Sequence, residues 1–152
     1  MNIVALLDSM WAWRGFNEVG EDAPRYFRIN PDNHSGRRLY RLVGTRSLLV
    51  TNCCRVVQRS AEHHGKPDPE WVKENLSYLK HEGMDLLLVC GKVAQYTFGQ
   101  IASMPTGATD GTAYLSGVGV FKFYMIDHPA ARRWSIDKLN QTQQHIERLL
   151  RA

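Results

Sequence analysis

Asp85-Leu86-Leu87-Leu88-Val89-Cys90-Gly91-Lys92-Val93-Ala94 runs from an unbroken apolar stretch straight into a glycine and then into helix-compatible residues. A strand covered on both faces needs no polar alternation, so continuous Leu and Val character points to the inside of a parallel sheet. Gly91 then opens KVAQYTFGQI, a short helix entered directly from the strand. Three other apolar runs resemble this one in length: NIVALLD (Asn2 to Asp8), SLLVTN (Ser47 to Asn52) and VFKFYMID (Val120 to Asp127).

Helical patterns fall between them. Ser35 reads as an N-cap for GRRLYRLVG, in which Leu39, Leu42 and Val43 share a face and Gly44 ends the element. Pro67-Asp68-Pro69-Glu70 starts a helix whose Trp71, Val72, Asn75, Leu76 and Leu79 form one mainly apolar side up to Gly83. Trp134 to Arg151 closes the chain as a helix carrying Ile136, Leu139, Ile146, Leu149 and Leu150. The glycine-containing TGATDGTAYLSGVG (Thr106 to Gly119) reads as a connection. The resulting order is βαβαβαβα, which predicts an α/β fold: a three-layer αβα arrangement with a central four-stranded parallel sheet.

The chain has 152 residues, 43% of them hydrophobic, and a net charge of +4. That is the size of one domain, taken as residues 1–152. No stretch approaches the roughly 18 apolar residues of a membrane span, and NIVALLD is too short for a secretory leader, so a cytoplasmic protein without membrane contact is expected. Cys53, Cys54 and Cys90 are odd in number and lie within apolar runs, which predicts reduced packing residues. They lack the paired spacing of a zinc or iron–sulfur site, so neither metal nor cofactor is expected. There is no phosphate-cradling P-loop and no dinucleotide glycine fingerprint. The adjacent His63 and His64 read as loop rather than as a metal pair, and Ser9 lacks the turn that would make it a hydrolase nucleophile. Positive charge makes nucleic acid a plausible partner, the more so because arginines gather near element ends: Arg37, Arg38, Arg41, Arg46, Arg55, Arg59, Arg132 and Arg133.

Ligands of parallel sheets bind outside the carboxyl ends of the strands. Here those ends are Asp8, Asn52, Cys90 to Gly91, and Asp127-His128-Pro129. The long segment from Ser9 to His34, rich in Gly, Pro and aromatic residues, is read as functional, since structureless connections beyond about 15 residues are seldom idle.

In chain order, an acid after the first strand, Ser-Gly-Arg-Arg-Leu (Ser35 to Leu39), Val-Thr-Asn (Val50 to Asn52), Leu-Leu-Val-Cys-Gly-Lys-Val-Ala (Leu87 to Ala94) and His128-Pro129 together resemble the uracil-DNA glycosylase superfamily. The likeness spans nearly the whole chain. It implies a monomeric DNA glycosylase, a hydrolase of DNA repair or base modification, which flips uracil or a modified pyrimidine out of the helix and cuts its N-glycosidic bond. By that resemblance Asn52 reads the base edge, and His128 donates a hydrogen bond to the base oxygen that gains charge. Asp8 assists water or the cationic sugar. Tyr26 and Phe27 occupy the region of the stacking aromatic, with Trp11 and Trp13 as further stacking candidates. Pro129 shapes the loop against the phosphates, with Arg132, Arg133 and Arg55 as DNA contacts.

The first motif departs from the family pattern. Leu6-Leu7-Asp8-Ser9-Met10-Trp11 holds neither glycine nor proline, and Val19-Gly20-Glu21-Asp22-Ala23-Pro24 offers a second acid. Ala130 also stands where the family often has serine. An inactive member that binds DNA or a protein partner is therefore the rival expectation. The bland readings remain beside these: His128 as a strand-end cap, Asn52 as a turn former, Asp8 as the cap of a turn.

Overall fold

The computed structural model describes residues 2–11, 18–59 and 65–152. Its elements are β1 (Asn2–Leu7), α1 (His34–Val43), β2 (Ser47–Asn52), α2 (Pro69–His81), β3 (Met84–Cys90), α3 (Gly91–Ile101), β4 (Ala102–Ser103), β5 (Asp110–Leu115), β6 (Gly119–Ile126) and α4 (Ile136–Arg151). They form a mixed α/β structure around one six-stranded sheet of order β2-β1-β3-β6-β5-β4.

The four apolar runs are the strands β2, β1, β3 and β6, and the pairings among these four are parallel. The expected sheet of four strands is nevertheless too small. The Thr106 to Gly119 segment is not a connection: Asp110–Leu115 pairs antiparallel with β6, and β4 pairs antiparallel with β5, which makes the sheet mixed. Ala113 and Leu115 are buried there, while Thr112 and Tyr114 face outward, the alternation of a half-covered strand. Gly117 and Gly119, both at positive φ, turn the chain between β5 and β6.

Two apolar layers flank the sheet. Ile3, Ala5 and Leu7 of β1 join Val50, Leu86, Leu88 and residues of α1 and α4 on one face. Val4, Leu6, Leu87 and Val89 meet α2 and α3 on the other. Leu86 through Val89 are fully buried, as the unbroken apolar reading of β3 requires. Cutting Leu88 to Ala removes buried methyl groups at the centre and is worth roughly 2–5 kcal/mol.

Helix starts follow local chemistry. Asp68 caps α2 by accepting from Trp71 N–H, with Pro69 in the first turn. Ser135 caps α4 in the same way through Lys138 N–H, so the closing helix begins at Ile136 rather than at Trp134. The cap of α1 is Asn33, two residues before the expected Ser35, because the Asn33 carboxamide accepts from Gly36 N–H at 2.6 Å. Among the described residues, no helix is long and apolar enough to cross a membrane.

Candidate functional site

Parallel register brings the strand ends into one line. Leu7 stands beside Asn52, Leu6 beside Val89, and Cys90 beside Ile126. Asp8, Asn52, Gly91 and His128 therefore meet at one edge of the sheet. Asn52 and Ile126 bracket it, three strand spacings or about 14 Å apart, with Asp8 and Gly91 between them.

Asn52 is 2% exposed, and neither its Nδ2 nor its Oδ1 has a hydrogen-bond partner among the described residues. A buried amide normally finds partners, since leaving it bare costs about 1–3 kcal/mol. Its neighbours illustrate the rule. The Thr51 hydroxyl donates to Arg25 O at 2.7 Å, and Asn75 binds both Thr51 and Arg25. Strand alternation puts Thr51 toward α2 and Asn52 toward the α1/α4 face.

His128 is half-buried just beyond β6. Its Nδ1 accepts from Ala130 N–H at 3.0 Å, so the neutral ring carries its proton on Nε2. Burial pushes the imidazole below its ordinary value, while the negative charge of Asp8 pulls the other way. The neutral ring, a hydrogen-bond donor through Nε2, is thereby favoured.

The loop that carries His128 is held by residues whose role the sequence did not disclose. Arg38 of α1 donates from Nη1 to Pro129 O at 2.6 Å and to Ala131 O at 2.8 Å. The Trp134 indole N–H donates to His128 O at 2.9 Å. Gly91, at φ +86°, lies so close that a Cβ there would sit 3.1 Å from His128 Cβ. In the sequence Arg38 stands out as one cation in a cluster and as part of the Ser35 to Leu39 motif; its contacts span 91 and 93 positions, beyond any local pattern.

Asp8 follows β1 directly. Its main-chain oxygen accepts from Cys54 N–H at 3.0 Å, and its Oδ1 lies 3.6 Å from Cys54 Sγ. Among the described residues no lysine, arginine or histidine forms an ion pair with it. The second candidate acid lies apart: Glu21 accepts from Glu18 N–H, and Asp22 pairs with Arg55.

Phe27 bridges the outer edge of β2 by exchanging hydrogen bonds with Val50. Paired residues share a face, so Phe27 lies on the side of Asn52, while Tyr26 packs against the opposite layer. Trp11 is half exposed and bridges to Gln58; Trp13, His63 and His64 lie outside the described residues. Pro129 is buried within the His128 loop. Arg132 is exposed and has no carboxylate partner among the described residues, and Arg133 reaches Asp127 only at 3.9 Å. Asp127 is held mainly by Lys138, which keeps its carboxyl below the usual range. Arg55 pairs with Asp22 at 3.1 Å and lies over the Trp71 ring, on the α2 flank.

Two shallow concavities of about 320 Å³ each lie elsewhere, one lined by Lys80, Asp85 and Lys122 among others, the second by Glu70, Lys73 and Ser116 among others. The chemistry of the strand-end edge outweighs their volume, because neither brings together an orphaned buried amide and an imidazole. No group of three or more His, Cys, Asp or Glu among the described residues is placed to hold a metal ion. No protein-family model matches the chain, and no curated protein matches it.

Proposed function

We propose that this protein is a DNA-base glycosylase built on the parallel four-strand core of the uracil-DNA glycosylase fold, acting on a flipped-out uracil or modified pyrimidine. The observation that carries the reading is the buried Asn52 amide without a partner among the described residues, set across the strand ends from the Nε2–H of a neutral His128. A carboxamide offers both a donor and an acceptor, the pairing that an amide-like pyrimidine edge requires. An imidazole N–H suits a base carbonyl that becomes negative as the bond to the sugar breaks.

Asp8 sits between these groups along the edge, where a carboxylate favours the electron-poor sugar carbon and can orient water. In the step itself the glycosidic C–N bond breaks with its electron pair passing to the base. Water adds to the sugar carbon, and the proton it loses ends on the released base. Neutrality of His128 matters because a donor that already holds its proton needs no proton from solvent. Phe27, on the Asn52 side of the sheet, is the better placed of the two stacking aromatics. Arg132 and Arg133, exposed beside the Pro129 loop, are available to phosphates.

The test is cleavage of labelled oligonucleotides carrying uracil, 5-hydroxymethyluracil and other modified pyrimidines, single- and double-stranded, followed by alkali to break abasic sites. A product that depends on both His128 and Asn52 supports excision and names the base. An uncut panel combined with salt-sensitive retention of the same DNA replaces this reading with a binding protein that does not cut.

A further inference from the structure

Cys54 has more in common with Asp8 than with the two other buried thiols. Cys90 Sγ lies 3.5 Å from Leu88 O within its own strand, and Cys53 is packed in the α2/α3 layer. Cys54 instead joins Asp8 at two points, main chain N–H to Asp8 O at 3.0 Å and Sγ to Oδ1 at 3.6 Å. Neighbours fix the thiol from behind: Cys54 bridges to Pro67, and a Cβ on Gly65 would come within 3.0 Å of Sγ. Burial and the Asp8 charge push the thiol up to about 12, so it keeps its proton and donates.

We propose that Cys54 is a positioning residue, whose S–H holds Oδ1 of Asp8 so that the carboxylate faces the strand-end gap between Asn52 and His128. The catalytic side of this role rests on the excision reading above. An arginine or lysine in the same place would orient the carboxylate but cancel the charge that an electron-poor sugar carbon calls for. A thiol is a weak, neutral donor: it orients and leaves the charge intact.

The experiment compares the wild type with Cys54→Ala, Cys54→Ser and Asp8→Ala in two readouts. The first is the infrared S–H stretch of Cys54, assigned by difference against Cys54→Ala, which moves to higher frequency in Asp8→Ala when the acceptor is gone. The second is single-turnover cleavage. Cys54→Ala lowers the rate about tenfold, the size expected for one hydrogen bond to a charged group, with KM unchanged, and Cys54→Ser restores most of it through its hydroxyl. An S–H band that ignores Asp8→Ala overturns the proposal whatever the activity. So does a shifted band with a Cys54→Ala rate equal to wild type, or a loss that serine fails to rescue. A wild type that cuts no base overturns the excision reading and the catalytic role with it; the shifted band then still reports the contact, so the two failures read differently.

Discussion

His128 and His145 hold the same proton and use it differently. In each, Nδ1 accepts a hydrogen bond, from Ala130 N–H in one and from the Arg148 guanidinium at 3.0 Å in the other. Each neutral ring therefore carries its proton on Nε2. His145 donates a hydrogen bond from Nε2 to Asp110 Oδ2 at 2.5 Å and lays its ring against Tyr124, 4.6 Å between centroids. Both ring nitrogens are occupied, Nε2 in tying α4 to the β5–β6 hairpin and Nδ1 within α4 itself. His128 spends Nδ1 and the carbonyl of its main chain on its own loop, and no described residue takes its Nε2–H. A saturated histidine is part of the scaffold; one with a donor left over at a strand end is available to a ligand.

The largest expected effect tests that contrast directly. On the excision reading, His128→Ala lowers single-turnover cleavage about 10²–10³-fold, the usual loss for one donor to a developing negative charge. His145→Ala lowers stability and leaves the cleavage rate of the folded protein where it was. Equal losses in the two variants would remove the distinction.

Gly91→Ala attacks His128 from beneath. The substitution places a Cβ at φ +86° and 3.1 Å from His128 Cβ, an atom fixed to the main chain rather than the tip of a flexible side chain. Left-handed backbone and overpacking together cost about 2–4 kcal/mol, read from urea unfolding. On the excision reading, cleavage by the folded fraction falls too, because the imidazole is displaced. Gly99, with nothing within 4 Å of its added Cβ, is the control position.

A smaller effect runs in the opposite direction. Asn52→Leu replaces two buried polar atoms without partners among the described residues by an apolar group of similar size and raises stability by about 1–2 kcal/mol, read as a higher Tm, while on the excision reading base recognition is lost. Asn75→Leu, at a buried amide whose partners are present, lowers Tm. A destabilised Asn52→Leu protein would mean that the Asn52 amide is satisfied in solution and is not held open for a ligand.

How much of this was written in the sequence depends on the range of each interaction. The parallel core was legible because Leu86 to Val89 and their counterparts in β1, β2 and β6 are apolar without interruption, and their ends placed Asp8, Asn52 and His128 at one edge. β5 was not read, although Ala113 and Leu115 alternate with Thr112 and Tyr114. The six-residue strand contains Gly111 and is followed by Gly117 and Gly119, and those weigh toward loop until β6 is there to pair with. Asn33 replaced Ser35 as a cap because two good capping residues stood two positions apart, and only the backbone course selects between them. The clasp of Arg38 on the His128 loop and the contact of Cys54 with Asp8 join distant positions, and no local spacing encodes them.

The smallest effect concerns the charge state that separates the two histidines. Burial disfavours the cationic form of His128, so the folded protein binds its proton less readily than the unfolded chain, whose imidazole titrates at about 6.5. Where the unfolded state binds more protons, stability rises with pH. The contribution is therefore complete above about pH 6.5 and is lost as pH falls toward the lowered folded value. His128→Gln removes that part of the acid sensitivity and leaves the rest. Asp8 provides the finer check, because its charge partly offsets the effect of burial. In Asp8→Asn the His128 ring, followed by NMR titration, should therefore protonate at still lower pH. If it titrates as in the wild type, the two side chains do not sense one another across the strand ends, and the edge no longer works as one site.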